Sequence, residues 1–131
     1  MRRSVLTGLL IGSATLIALA FFTDRRADLR EAEIEARYPP TGQMVNVDGR
    51  DVHVIVRGSG PDLVLIHGAG SNARDIELAL AERLEDRYRL FIPDRPGHGW
   101  TDRDPALKGA FNTTAESPAD QAALLAAAVA R

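Results

Sequence analysis

Two short apolar runs, Leu63-Val64-Leu65-Ile66 and Leu90-Phe91-Ile92, show no polar alternation, and the stretch between them, Ala73 to Tyr88, sets Ile76, Leu78, Leu80 and Leu84 among charges. Unbroken apolar runs of this length mark strands covered on both faces, and an amphipathic helix joining two of them implies a right-handed parallel crossover. The chain is therefore expected to be α/β. Ahead of that unit, Met44-Val45-Asn46-Val47 and Val52-His53-Val54-Ile55-Val56 flank Asp48-Gly49, a strong hairpin signal, so an antiparallel pair precedes the parallel strands. Alternation along the second run puts His53 on the exposed side. Pro118 to Arg131, PADQAALLAAAVAR, is expected to be a helix with proline in its first turn.

A different constraint acts at the N-terminus, where Val5 to Phe22 contains no charged residue. Ser4 to Phe22 would be roughly 28 Å long as a helix, close to the hydrocarbon thickness of a bilayer. A helix apolar on every side needs a partner layer all round it, more than the rest of the chain would supply, so a single-pass transmembrane helix in contact with lipid is expected over residues 4–22. Met1-Arg2-Arg3 with Ala18-Leu19-Ala20 also has the form of a cleavable signal. The apolar stretch continues past that point through Phe21 and Phe22, which favours an uncleaved anchor. Arginines flank both ends and leave the orientation open; the basic start, shared with export signals, places the soluble part outside the cytoplasm. Asp24 to Tyr38 mixes charges with helix formers and lacks an apolar stripe, as a solvated stalk does, and Pro39-Pro40 ends it.

Charge and cysteine content remove several classes. Of the 16 basic residues only Arg2 and Arg3 precede Thr23, so the remainder carries 14 basic against all 18 acidic residues, interspersed. Nucleic-acid binding wants a basic patch instead. With no cysteine there is no disulfide framework, no thiolate nucleophile and no cysteine-ligated metal. Nothing in the pattern calls for a metal or a cofactor.

The chemistry-bearing residues lie after the two apolar runs, in His67-Gly68-Ala69-Gly70 and in Asp94-Arg95-Pro96-Gly97-His98-Gly99-Trp100-Thr101-Asp102. A strand ending in His-Gly, followed about one strand-helix unit later by a strand ending in D-x-P-G-x-G, resembles the α/β-hydrolase superfamily, and the hairpin around Asp48-Gly49 resembles that family's first two strands. The resemblance covers residues 43–131. With the N-terminal readings above, the expected division is an anchor or signal at 1–23, a helical stalk and proline linker at 24–42, and, by the resemblance, a partial α/β-hydrolase domain at 43–131. The resemblance further implies that the Ala69 backbone N–H is an oxyanion-hole donor acting on a small-molecule substrate. His67, Gly68, Gly70, Asp94, Gly97 and Gly99 then shape the two loops. Backbone amides in a glycine-rich turn suit that chemistry because they stabilise a developing oxyanion without reorganising. Gly68 and Gly70 are expected to take positive φ and to let substrate approach Ala69. Asp94 is expected to brace its turn through backbone hydrogen bonds. His98 is expected to be a solvated or loop-bracing histidine.

The family's nucleophile stands in a G-x-S-x-G elbow. No such motif occurs; Ser59 and Ser71 are expected to be ordinary turn serines. The order of elements leads to the expectation of a chain that stops before its nucleophile and is inactive by itself. The fourth position of His67-Gly68-Ala69-Gly70 is not the proline frequent in epoxide hydrolases and dehalogenases of this fold, which points toward ester or amide substrates. Asn112-Thr113-Thr114 fits the N-x-T pattern, a common chance match. Two other classes stand beside the hydrolase. Gly68 to Ala73 also satisfies G-x-G-x-x-A between a strand and a helix, and with Asp94 ending the next strand it suits a dinucleotide. A tethered binding module without chemistry is the third.

Overall fold

The computed structural model describes residues 2–107 and 114–131, of which residues 2–11 are described by backbone alone. Asn112 and Thr113 of the N-x-T pattern lie outside the described residues. The chain forms two units, Met1–Pro39 and Pro40–Arg131.

The first unit is a single helix, α1 (Arg2–Arg37). The stretch expected to be an anchor and the stretch expected to be a separate stalk are one uninterrupted helix, since no helix breaker stands before Pro39. Among the described residues no helix is long and apolar enough to cross a membrane, so the transmembrane helix expected over residues 4–22 is not found. From Asp24 onward the helix is heavily charged, and residues 4–11 of the expected span lie outside those with described side chains. Arg25 and Arg26 lie over the rings of Phe21 and Phe22, one helical turn earlier, at 5.8 and 5.5 Å.

The second unit is built on a four-stranded sheet of order β1-β2-β4-β3, with β1 at Gln43–Val47, β2 at Arg50–Arg57, β3 at Asp62–Val64 and β4 at Arg89–Pro93. β1 and β2 form the expected hairpin; Asp48 and Gly49 both take positive φ, 52° and 87°, as a two-residue turn matched to strand twist requires. β3 and β4 are parallel, and β2 joins β4 antiparallel with Val54 opposite Pro93. The hairpin thus lies against the parallel pair, and β2 becomes an interior strand.

Between β3 and β4 the chain runs through α2 (Ala73–Ile76), a π-helical turn (Glu77–Ala81) and α3 (Glu82–Leu84). Asn72 caps α2 by accepting from the Asp75 N–H at 3.1 Å, while Asp75 accepts from the Asn72 N–H at 3.3 Å. The π turn absorbs one residue, which brings Ala81 round to the side of Ala73 although eight positions separate them. Both alanines are fully buried against Ile55, Leu90 and Ile92, with Ile76 and Leu84 beside them. Leu78, expected on the apolar face, is 78% exposed as a result.

The opposite face of the sheet is covered by α4 (Pro118–Val129), whose Leu124, Leu125 and Ala128 pack on Val47, Val52 and Val54. Ser117 caps it, accepting from the Asp120 N–H at 3.2 Å. Arg50 anchors the approach to α4 from the start of β2: it donates to both Glu116 oxygens at 3.1 and 2.8 Å and to the Asp102 carbonyl at 3.0 Å. β2 and β4 are therefore covered on both faces. β3 is not: Val64 and, just past the strand, Ile66 are 43% and 55% exposed, so the run Leu63 to Ile66, expected to be covered on both faces, is open on one side at the sheet edge.

Leu125 and Leu78 make a paired test of these layers. Leu125→Ala removes a buried contact with β2 and should cost about 2–5 kcal/mol, whereas Leu78→Ala should stay within about 0.5 kcal/mol. Urea unfolding midpoints of the two variants check the contrast, and equal effects would contradict the placement of α4.

Candidate functional site

The C-terminal ends of β3 and β4 open into the two glycine-bearing loops, and the Asp94 carboxylate sits beneath them. Asp94 follows β4 directly and is 2% exposed. Its Oδ1 accepts from the Ala73 N–H at the start of α2 at 2.7 Å; its Oδ2 accepts from His53 Nδ1 at 2.7 Å and from the Trp100 N–H at 3.2 Å. Burial alone would push the carboxyl pKa up, but the hydrogen bonds from His53, Ala73 and Trp100 outweigh it and hold Asp94 below its ordinary value of 3.8. A side chain at position 99 would land on this carboxylate, so Gly99, at φ 50°, is required both by space and by conformation.

His53, expected to be exposed, is 3% exposed and belongs to this centre. The antiparallel register of β2 on β4 puts it opposite Asp94, whose N–H donates to the His53 carbonyl at 3.0 Å. His53 Nε2 accepts from the Gly42 N–H at 3.0 Å, so the ring proton resides on Nδ1, facing Asp94. The clue available in the sequence was the apolar run around His53, which continues too far for a strand with one wet face. The Thr101 hydroxyl accepts from the His53 N–H at 2.9 Å, and the Asp102 N–H donates to the Asp51 carbonyl at 2.9 Å, so the β4 loop extends the edge of β2.

His67 stands at the end of the β3 segment with its side chain fully buried. Its Nδ1 is 2.8 Å from the Gly68 carbonyl and its Nε2 accepts from the Arg95 N–H at 2.9 Å. Again one ring nitrogen donates and the other accepts, so this histidine is neutral and joins the β3 loop to the β4 loop. Neither His53 nor His67 has a nitrogen left for proton transfer to a substrate. His98, partly buried in the β4 loop, places Nδ1 at 3.2 Å from the Pro96 carbonyl and Nε2 at 3.2 Å from the Ala69 carbonyl. Its ring centroid is 5.3 Å from that of His67. Arg95 ties the same loop to α4, donating from Nε and Nη2 to Gln121 at 3.0 and 2.9 Å.

Within His67-Gly68-Ala69-Gly70 the expected positive φ values are absent: Gly97 and Gly99 are left-handed, Gly68 and Gly70 are not. The chain turns at Ala69 and Gly70 and enters α2 through the Asn72 cap, and it does so without a left-handed residue. A Cβ at either would meet no atom within 4 Å. Ala69 is exposed, and among the described residues its N–H has no protein acceptor. Ser71 donates to Asp75 at 2.9 Å, inside the cap of α2.

This geometry disfavours the dinucleotide alternative. The acid that would take a ribose is buried under Gly99 and already accepts three hydrogen bonds, one of them from the helix N-terminus where a pyrophosphate would bind. Among the described residues no group of three His, Cys, Asp or Glu side chains is placed to hold a metal ion.

Asp94 generates a prediction about acid. Because its folded pKa is depressed, its contribution to stability is present above the ordinary value of 3.8 and is lost as pH falls through the lower folded value. Asp94→Asn places an amide N–H2 against N–H donors and should cost on the order of 3 kcal/mol at neutral pH. Urea midpoints from pH 3 to pH 7 should show the gap between wild type and variant closing only at the acid end; a gap independent of pH would contradict an ionised Asp94.

Comparison with known proteins agrees with this arrangement. The model of the alpha/beta hydrolase family matches residues 63–131, more than half of the chain. Pimeloyl-[acyl-carrier protein] methyl ester esterase of Vibrio vulnificus is 47% identical over 49 residues, which is 37% of this chain and 19% of that protein. Among solved structures, a meta-cleavage product hydrolase from Pseudomonas fluorescens superposes with a TM-score of 0.54 at 26% identity, over 68% of this chain and 32% of that one. A bacterial membrane phospholipase A superposes with a TM-score of 0.51 at 26% identity, over 98% of this chain and 41% of that one. The chain spans about a fifth to a quarter of the length of the curated relatives it matches first, 19% and 24%. With a hairpin and a parallel pair in one sheet, loops of the expected form at the strand ends and a family match over residues 63–131, the chain belongs to the alpha/beta hydrolase family.

Proposed function

We propose that these residues supply the oxyanion-binding half of a site that hydrolyses carboxylic esters, with the Ala69 N–H as donor. One observation carries the reading. A peptide unit is planar and trans, so its C=O and N–H point in opposite directions. His67 Nδ1 holds the Gly68 carbonyl, which turns the Ala69 N–H of the same peptide away from the buried ring and toward the open space beside Gly68 and Gly70. An amide fixed in this way stabilises a developing oxyanion with no rearrangement in the transition state. The ester substrate class is supported by the methyl ester esterase and membrane phospholipase A relatives. The nucleophile is assigned to a G-x-S-x-G elbow, a motif that residues 1–131 do not contain. Hydrolysis is therefore proposed for the protein in a form that carries such an elbow, and residues 1–131 alone should not turn over a p-nitrophenyl ester.

In that form Ala69→Pro, which removes the amide, should lower turnover by about 100- to 1000-fold while binding changes far less. Ala69→Ser keeps the amide and should retain most activity. Equal behaviour of the two variants, with the fold intact by circular dichroism, would remove Ala69 from the site.

The proposal extends to location: residues 4–22 tether the protein to a bilayer, with the α/β unit on the extracytoplasmic side. Support comes from the uncharged stretch Val5 to Phe22 and from Phe21 and Phe22 next to Arg25 and Arg26, the aromatic and basic pairing that suits a lipid interface. Alkaline carbonate extraction should leave the chain in the membrane pellet, and Leu10→Arg combined with Leu16→Arg should release it. Full-mass wild-type protein in the supernatant would refute the tether, and loss of the first 20 residues would indicate cleavage after Ala20.

A further inference from the structure

The reading of the Ala69 amide as an oxyanion donor leaves His98 unused, although His98 touches the same loop. Its Nε2 lies 3.2 Å from the Ala69 carbonyl, and its Nδ1 lies 3.2 Å from the carbonyl of Pro96 in its own loop. Both nitrogens face acceptors, so a proton on Nε2 donates to the Ala69 carbonyl and a proton on Nδ1 donates to the Pro96 carbonyl. The Ala69 carbonyl belongs to the peptide unit that carries the Gly70 N–H. The planar-unit argument that applies to His67 and the Ala69 N–H therefore applies again one residue on. The His67 and His98 rings, which reach the carbonyls of Gly68 and Ala69, are neighbours, with centroids 5.3 Å apart. Among the described residues the Gly70 N–H, like that of Ala69, has no protein acceptor, and no atom lies within 4 Å of where a Gly70 Cβ would stand.

We propose that His98 is a positioning residue: by holding the Ala69 carbonyl it turns the Gly70 N–H outward beside that of Ala69, so that the loop offers two adjacent amide donors to an anionic oxygen. Consecutive N–H groups on one side of a turn form an anion-binding concavity, and two donors grip a carboxylate or an oxyanion better than one. This rests on the oxyanion reading of the loop. It adds a second donor and names the side chain that sets it.

The test uses the full chain, 15N-labelled, with acetate as probe. Long-range 1H–15N spectra should show His98 Nε2 protonated and His67 Nε2 unprotonated. Acetate should shift the Ala69 and Gly70 amide resonances together and saturably. His98→Phe keeps a ring beside His67 but has no donor, and should abolish the Gly70 response. His98→Gln restores an N–H donor and should restore that response, whereas a ring needed only for packing would give the reverse order. An unprotonated His98 Nε2, or a Gly70 response unchanged in His98→Phe, overturns the proposal. A Gly70 response without one from Ala69 would instead defeat the assignment of Ala69 and leave His98 standing.

Discussion

A carboxylate removed from water beneath two loops is the element on which the rest of the second unit depends. Desolvating Asp94 costs several kcal/mol, and such a group persists only where donors offset the loss. Here the donors come from three places: the ring of His53 on β2, the Ala73 N–H that begins α2, and the Trp100 N–H in the loop after β4. Strand, helix and loop are thereby fixed to one atom group, and charge-assisted bonds of 2.7 Å to His53 and Ala73 are the short, strong kind. Removing any one donor leaves a buried charge partly unmatched, which costs more than the net contribution of a typical hydrogen bond.

From Asp94 the order passes outward through histidines whose donor and acceptor roles are set by their partners. His53 and His67 each accept a backbone N–H at Nε2, from Gly42 and Arg95. Each therefore has a proton at Nδ1, and each Nδ1 faces an acceptor, Asp94 in one case and the Gly68 carbonyl in the other. A histidine near an aspartate suggests general-base chemistry, but rings occupied at both nitrogens do structural work. What they deliver is direction: the Gly68 carbonyl is held inward, and the amide that shares its peptide plane faces out.

Local signals predicted local structure well. Asp48-Gly49 specified a two-residue turn, the unbroken run at Leu90 to Ile92 specified a buried strand, and the His-Gly and D-x-P-G-x-G loops pointed to the family over residues 43–131. Some of what was misread or missed depends on partners distant along the chain. His53 looked exposed because the antiparallel seam between β2 and β4 sets its environment, and no pattern within either strand announces that register. Arg50 and Glu116, 66 positions apart, meet for the same kind of reason. Leu78 turned outward because a π turn shifted the helical phase by one residue, a change that a regular 3.6-residue period does not contain.

The glycines of the two loops illustrate how one residue type serves two physical needs. Gly97 and Gly99 adopt φ values of 73° and 50°, and Gly99 additionally leaves room for the Asp94 carboxylate, so the β4 loop uses glycine to fold tightly over a buried charge. Gly68 and Gly70 have neither feature: their φ values are ordinary and a Cβ at either would meet no atom within 4 Å. A conformational argument for this second pair therefore fails, and a steric one remains, in which the missing side chains leave the Ala69 amide open to approach. Rigidity is concentrated in the β4 loop and the histidines, whereas access is concentrated in the β3 loop. Under the proposed oxyanion role of the Ala69 N–H that division has a use, since an amide held still by one loop stays open to a substrate oxygen from the side of the other.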